Sequence, residues 1–380
     1  MFKIPEAQQD VLDMVKKFCL KEIKPLAAKI DEENRFPEET LKKLIDIGLM
    51  GGFFPEEYDG AGLDYLTFIM ICEEMAKYCA ATSCMYSAHV GLCGWPIFNW
   101  GTPEQKQKFL RPLCRGEKLG AFALTEPSAG TDAAMQTSFA KKQPDGSFIL
   151  NGSKIFITNG GYADIVVVFA MSQKNVGTKG ITAFILEKGM PGFTVGKIEN
   201  KMGIRASSTA ELVFTDVRIP PENVLGPEGK GFSIAMQTLD GGRCAIGAQA
   251  LGIAEGAIEE TITYTSQRIQ FGKRISQFQN TQFQLADMRT KTEAAKLLVY
   301  QASYAKQNNE PFSHLAAMAK LFASENASDV TRRCVQLYGG YGFTKDFPIE
   351  RMMRDAKITE IYEGTSEVQK MVISGWMGVK

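Results

Sequence analysis

The apolar residues of this chain change their period twice, and that succession limits the fold more than any other feature. In the first third, Val11, Leu12, Val15, Phe18, Cys19 and Leu26 are spaced for one face of a helix. Pro37 stands where a second helix opens, and Gly48 lies near its end. Residues 66–80 are apolar nearly all round apart from Glu73, Glu74 and Lys77, the pattern of an inner helix. Thr102 is placed to cap a short amphipathic helix. Around Leu119 the pattern turns extended. Runs rich in Val, Ile, Phe and Thr occupy 148–150, 154–158, 165–170, 182–186, 193–196 and 211–214, with a turn at 143–147. From Gly231 the helical period returns, over 232–267, over 283–307, and in a third helix with Leu315, Met318, Phe322, Asn326, Val330, Cys334 and Leu337 on one stripe. Strands not interleaved with helices predict a mostly antiparallel barrel or sandwich between two helical regions, not a βαβ sheet.

Charge and composition narrow the function. Lysine plus arginine equals aspartate plus glutamate, 43 of each, so no basic face is implied and nucleic acid is not an expected partner. The eight cysteines form no Cys-x-x-Cys pair and mostly fall in apolar helical stretches, which fits buried thiols in a reducing compartment. With only His89 and His314, a histidine-based metal site or catalytic triad is poorly supplied, and no metal is expected. Residues 78–103 carry no formal charge, a length that invites a membrane reading. The Ser, Thr, His, Asn and Gly within it, and Pro96 as a breaker, predict a buried helix followed by a loop instead. The N-terminus reads as neither a signal nor a transit peptide, so the expected setting is a bacterial cytoplasm; a mature mitochondrial matrix chain would look the same.

No Gly-x-Gly-x-x-Gly follows a strand and there is no phosphate-loop motif, so a Rossmann or P-loop nucleotide site is unsupported. Five other places look built for a ligand. Glu363 lies between Tyr362 and Gly364, just before Thr365 and Ser366, at the start of a helix-like run. A carboxylate flanked by apolar residues at such a junction suits a desolvated general base; taken alone, it reads more readily as a solvated acid in a capping loop. The run Phe122 to Asp132 offers Thr125, Thr131 and the N–H groups near Gly130 to the heteroatoms of a flat cofactor, or is an ordinary turn into the sheet. Phe156 and Thr158 share one face of a strand, where a ring could stack, or belong to a half-buried strand. Arg268, with Gln270 and Phe271, suits a pyrophosphate, or is a charged helix end. The glycines of Gln336-Leu-Tyr-Gly-Gly340 suggest backbone approach to a ligand, or a helix C-cap.

Together and in order, these motifs resemble the acyl-CoA dehydrogenase family. The resemblance rests on Leu124-Thr-Glu-Pro127, Ala129-Gly-Thr-Asp132, Ile157-Thr-Asn-Gly160, Arg268-x-Gln-Phe-Gly272, Gln336-Leu-Tyr-Gly-Gly340 and Ile361-Tyr-Glu-Gly-Thr-Ser366, and covers essentially the whole chain. Within the family it looks nearest to the short-chain, butyryl-CoA branch. It implies an α+β fold: an N-terminal α-helical domain at 1–118, a middle β-barrel domain at 119–226 and a C-terminal four-helix bundle at 227–380. It implies FAD as cofactor, an acyl-CoA substrate, an electron-transfer flavoprotein as acceptor and a homotetramer. By the same resemblance Glu363 is the base that removes the pro-R α-proton, the β-hydrogen leaving as hydride to the flavin. Phe122, Leu124, Thr125, Gly130, Phe156 and Thr158 match positions around the isoalloxazine. Thr131 stands near flavin and substrate where the family usually has serine. Arg268, Gln270, Phe271 and Gln279 resemble contacts to the FAD of a neighbouring subunit. Gln336, Gly339, Gly340, Thr365 and Glu367 resemble dinucleotide contacts. Asp240 and Arg243 match residues that hold the CoA end, and Tyr362 and Gly364 line the substrate. Some relatives carry the base just before the arginine matched by Arg243; here that position is Gly242. Glutaryl-CoA enzymes use an arginine near 80–90, and this chain has none between Arg35 and Arg111, which argues against a dicarboxylate. Branched or cyclic acyl groups, the reverse enoyl-CoA reduction, an oxidase using oxygen, and a colourless helical scaffold are the alternatives.

Overall fold

The structure is a computed structural model that describes residues 4–379. The N-terminal helices are α1 (Glu6–Phe18), α2 (Lys24–Glu32), α3 (Glu38–Asp46), α4 (Tyr65–Tyr78), α5 (Ala80–Ser87), α6 (Trp95–Trp100), α7 (Pro103–Gln105) and α8 (Arg111–Cys114). The strands follow: β1 (Gly120–Ala123), β2 (Phe139–Lys142), β3 (Phe148–Thr158), β4 (Ile165–Met171), β5 (Ile181–Glu187), β6 (Phe193–Ile198), β7 (Thr209–Ile219) and β8 (Val224–Leu225). The long helix α9 (Gly231–Gln267) leads through the hairpin β9 (Ile269–Gln270) and β10 (Lys273–Arg274) to α10 (Gln279–Gln307), α11 (Ser313–Tyr338), α12 (Ile349–Ile358) and α13 (Ser366–Trp376).

The sheet order is β6-β7-β3-β2-β4-β5-β8, with β1 beside β4. Pairing is antiparallel except where β1 and the start of β2 run parallel to β4. The sheet curls round one apolar interior that includes Ala121, Phe148, Leu150, Val166, Val168, Phe184 and Leu212. The alternate residues Ile165, Val167 and Phe169 of β4, and Ile181, Ala183 and Ile185 of β5, pack into the helical core. Both faces of these strands are covered, which is why they read as unbroken apolar runs. The runs at 148–150 and 154–158 are one strand. It kinks at Gly152, whose φ is 140° and whose missing Cβ would meet Ser138 at 2.3–2.7 Å.

Three expectations need correction. Pro96 does not break its helix: the backbone passes from α5 through a π-helical stretch at Ala88–Gly94 into α6, with Pro96 in the first turn, where its missing N–H is least costly. Most of this uncharged segment is buried in the core, and no helix among the described residues is long and apolar enough to cross a membrane. The stripe expected on α11 holds at Asn326, Val330 and Cys334, which are buried, but not in the first half of the helix. Phe322 is 39% exposed, while Ala316, Ala319, Ala323 and Ala327 are buried together with Lys320. Small side chains on α9 draw α11 close, so alanine rather than large apolar residues marks the inner face. The strands β1, β2 and β8 went unread because they are short; β1 is Gly-Ala-Phe-Ala and owes its conformation to pairing with β4 rather than to propensity.

The helix α4 lies directly against α9: a Cβ on Gly252 would be 2.1 Å from the Glu73 carbonyl oxygen, and one on Gly256 would be 2.4 Å from that of Lys77. The charges of this inner helix are matched within the bundle. Lys77 bridges to Glu255 at 2.8 Å, and Lys296 to Glu73 at 3.1 Å and to Glu255 at 2.5 Å.

Candidate active site

The segment between α12 and α13 holds Glu363 in an uncommon backbone conformation. Its φ is 54°, followed by Gly364 at 96°. A left-handed non-glycine residue costs roughly 1–3 kcal/mol and persists only where its surroundings fix it. Here they do. Lys320 Nζ donates to the Gly364 carbonyl at 2.7 Å, and Gln369 Nε2 donates to the same oxygen at 2.8 Å and to the Glu363 carbonyl at 3.3 Å. Tyr362 donates its hydroxyl to Gln249, whose amide in turn donates to the Ala80 carbonyl at 2.7 Å. Thr365 caps α13 by accepting from the Val368 N–H, as its place in the sequence predicted. Glu367 is exposed on the first turn beyond it.

This turn sends the Glu363 carboxylate inward. Its Oε2 is buried and has no hydrogen-bond partner among the described residues. Burial pushes the carboxyl up to about 7, against the pull of Lys320, Arg243 and Lys306. A carboxyl poised there can accept a proton at neutral pH. Space for it comes from Gly242 on α9: a Cβ there would sit 1.9 Å from Oε2 and 3.0 Å from Leu92 Cδ2. The carboxylate is the mobile end of this contact, so Gly242→Ala should displace the base and leave the fold intact. A misplacement of about 1 Å costs roughly 100-fold in rate. We expect that loss in single-turnover flavin reduction, with normal FAD content and an unchanged melting temperature. Beside Gly242, Arg243 pairs with Asp240 and keeps a buried, unpartnered Nε.

The residues expected around a flavin fall in two places. Phe156 is 59% exposed although it lies within β3. A register shift between Lys154 and Ile157 gives it a φ of 59° and turns Ile157 into the sheet interior. Thr158 is half-buried beyond it. The Thr125 carbonyl accepts from the Ile155 N–H at 2.9 Å, so Leu124 and Thr125 run alongside this stretch, near half-buried Phe122. Gly130 and Thr131 are exposed at the far end of the loop. The Cys84 thiol faces Thr158, Ser207 and Tyr362, which joins the Phe156 face to the Glu363 turn.

Elsewhere, Arg268, Gln270, Gln336, Gly339 and Gly340 line one open groove of about 510 Å³ with Tyr264, Tyr338 and Tyr341. The Arg268 guanidinium stands 5.6 Å from the centre of the Tyr341 ring. A Cβ on Gly339, Gly340 or Gly130 would meet no atom within 4 Å. Phe271 and Gln279 lie outside the groove, and Phe271 is 94% exposed. An exposed aromatic face with hydroxyls and backbone beside it, and a groove with an arginine and open glycines, fit a flavin ring and a pyrophosphate respectively.

Several residues that build the site gave no motif, Lys320, Lys306, Gln249 and Gln369, and the buried pairing of Glu126 with Lys154 was not read although both lie beside motif residues. The one signal was a lone lysine, Lys320, inside an alanine-rich apolar helix. The histidines lie elsewhere. Buried His89 accepts from the Gly120 N–H at 3.0 Å and donates to the Leu113 carbonyl at 3.2 Å; burial pushes it down to about 4, so it stays neutral. His314 stacks on Trp376. All eight cysteines are buried and free.

Comparison with known proteins shows the family. The acyl-CoA dehydrogenase N-terminal, middle and C-terminal domain families match residues 5–117, 121–217 and 229–378. The chain is 56% identical over 374 residues to a short-chain specific acyl-CoA dehydrogenase of Clostridium acetobutylicum, covering 98% of each. It superposes on butyryl-CoA dehydrogenase from Megasphaera elsdenii with a TM-score of 0.97 at 53% identity, covering 99% of each chain. A chain in a structure of the electron transferring flavoprotein of Acidaminococcus fermentans matches equally, with a TM-score of 0.97, 53% identity and 99% coverage of each. The chain therefore belongs to the acyl-CoA dehydrogenase family, FAD-dependent oxidoreductases acting on acyl-CoA.

Proposed function

We propose that this enzyme desaturates a short-chain acyl-CoA such as butyryl-CoA between Cα and Cβ, with Glu363 as the base. The observation that carries this reading is the inward carboxylate of Glu363. It is buried, unpartnered at Oε2, pushed up to about 7, and joined through Tyr362 and Cys84 to the open Phe156–Thr158 face. An α-proton beside a thioester is a weak acid, so the base must be strengthened and the developing enolate stabilised. Burial does the first. For the second, the Glu363 N–H donates to no backbone carbonyl among the described residues and is free to meet the thioester oxygen. The Cα–H bond breaks as the proton passes to Oε2, and its electron pair forms the Cα=Cβ bond. Bound FAD supplies the acceptor for the β-hydride. Phe156, Leu124, Thr125 and Thr158 hold the flavin ring, Gly130 and Thr131 lie at its edge, and Asp240 with Arg243 holds the CoA end.

Similarity to a short-chain specific enzyme and to butyryl-CoA dehydrogenase supports the substrate class. The match to a chain in an electron transferring flavoprotein structure supports that protein as acceptor, and the clostridial relative supports a cytoplasmic setting. The Arg268–Gln336 groove, open on this chain and apart from the Phe156 face, supports a homotetramer in which each dinucleotide site is completed by a neighbour.

The test is an anaerobic titration of the purified protein with butyryl-CoA, following flavin absorbance. We expect bleaching, reversed faster by an electron-transfer flavoprotein than by oxygen. Bleaching only by longer, branched or cyclic acyl-CoA would overturn the short-chain assignment. A yellow protein bleached by no acyl-CoA would overturn the reaction.

A further inference from the structure

The charges around Glu363 are brought to it by helices remote in sequence. On α9, the glycines in Asp240-Gly-Gly-Arg243 each admit one charged group. Where a Cβ on Gly242 would meet the Glu363 carboxylate, a Cβ on Gly241 would sit 2.1 Å from Lys306 Nζ. Lys306 belongs to α10. Its ammonium stands 4.1 Å from the centre of the Tyr65 ring, 4.5 Å from that of Trp95 and 5.7 Å from that of Phe312. Lys320, on α11, is fully buried and donates to the carbonyl of Gly364, the residue after the base. Among the described residues neither ammonium forms a salt bridge.

That arrangement is costly, because buried cations normally carry a carboxylate partner. Burial pushes both lysines down, each to about 8, so both are mostly protonated at neutral pH. Apart from Arg243, which also favours the ionised base, the other groups facing it contribute little charge. Tyr65 and Cys72 on α4, Cys84 on α5 and neighbouring Tyr362 are pushed up by burial and stay neutral. Cys244, beside Lys306 on α9, is pushed up likewise, and the charge of Arg243 is shared with Asp240. An aromatic cage stabilises an ammonium without cancelling its field, whereas a carboxylate partner would cancel it. Lys320 is therefore the strongest cation that Glu363 meets, followed by Arg243, which is paired with Asp240, and then Lys306; the two lysines are the ones without a carboxylate partner.

We propose that Lys320 and Lys306 are positioning residues for the dehydrogenation: two ammoniums without carboxylate partners, brought from α11 and α10 to the Glu363 carboxylate, keep this buried base ionised and able to take the α-proton. The proposal rests on Glu363 being the base. Burial alone would leave the carboxyl protonated at neutral pH and unable to act. The lysines oppose that effect and hold the base near the pH at which it works.

The test uses the holoenzyme carrying Lys306→Met, and separately Lys320→Gln. Two quantities are followed against pH: the single-turnover rate of flavin reduction by butyryl-CoA, and the infrared band of the protonated Glu363 carboxyl in resting enzyme, assigned by its disappearance in Glu363→Gln. Removing a nearby cation raises a carboxyl pKa, so the band midpoint and the acid limb of the rate should both move up by about one pH unit. The rate at pH 6 should fall about tenfold, and the rate at pH 9 should stay within about twofold of the parent. A rate that falls equally at every pH, with the band midpoint unmoved, would show the lysines to be packing groups only and overturn the proposal. If Lys320→Gln loses the Gly364 contact and does not fold, Lys306→Met, which breaks no hydrogen bond to the loop, decides the matter. Near-normal turnover by Glu363→Gln would instead remove the base assignment, an outcome separate from either lysine result.

Discussion

Glu363→Gln should give a folded, yellow protein that butyryl-CoA reduces about 10⁴-fold more slowly, the upper end of what a positioned general base contributes. The amide has nearly the volume of the carboxylate, so the contact with Gly242 and the turn held by Lys320 and Gln369 survive. What is lost is the only function of Oε2, which has no protein partner to satisfy. The next carboxylate nearby, Asp240, is paired with Arg243 and cannot take over. Stability should move the other way. The Glu363 carboxyl sits at about 7 in the folded chain against 4.5 for the free group, so the folded state holds a proton that the unfolded state has released between those values. Stability therefore falls as pH rises through that window. The glutamine variant lacks this penalty. It should melt above the parent at pH 8, with the gap closing as pH falls towards 4.5. Thermal melts across that range, beside stopped-flow flavin reduction, check both halves. Substantial turnover would remove Glu363 from the reaction; a lower melting temperature at pH 8 would mean that the site does not oppose its charge.

The sequence carried the order of helices and strands because hydrophobic period is a local property. The turn from helix to strand near Leu119 and back at Gly231 needed no tertiary knowledge. It was silent where neighbours decide. β1 is a strand only because β4 lies beside it, and the buried face of α11 is marked by alanines because the small residues of α9 draw it in. Glu363 was legible through its neighbours: Gly364 and Thr365 signal a turn and a cap. Its inward carboxylate was not, since that depends on a glycine 121 positions earlier in the chain and on lysines from two other helices. The residues expected to meet FAD were chosen by motif. That most of them divide between the Phe156 face and the Arg268–Gln336 groove is a fact of the folded chain that no spacing records. The same limit explains Lys154, which stood only as the first residue of a half-buried strand.

Lys154 is fully buried, and its replacement should have the largest effect on stability. Its Nζ donates to the Leu124 carbonyl at 2.9 Å, to Glu126 at 2.8 Å and to Gln136 at 2.9 Å, so all three protons are used. Glu126 also accepts from the Thr137 N–H at 2.6 Å, the Thr137 hydroxyl at 2.8 Å and the Ser138 N–H at 3.1 Å. Burial works against the charge of Glu126, but Lys154 and these donors outweigh it and hold the carboxyl below its usual range. The network ties residues 124–138 to β3, and so sets Leu124 and Thr125 against the strand that presents Phe156. Lys154→Met removes the cation and strands a buried carboxylate, a change that costs about 3–5 kcal/mol. Set against a total stability of roughly 5–15 kcal/mol, this should lower the melting temperature sharply. It should also loosen FAD, because the 122–131 loop loses its anchor. Adding Glu126→Gln to Lys154→Met removes the stranded charge and should recover part of the stability, since a neutral amide can still accept from Thr137. Calorimetry of the single and double variants, with FAD retention measured after gel filtration, separates the two contributions. Recovery of stability without recovery of FAD would show that the lysine's bond to the Leu124 carbonyl, rather than its charge, is what shapes the flavin site. A single variant as stable as the parent would mean that Glu126 is protonated in the folded chain and that the pair is not ionic.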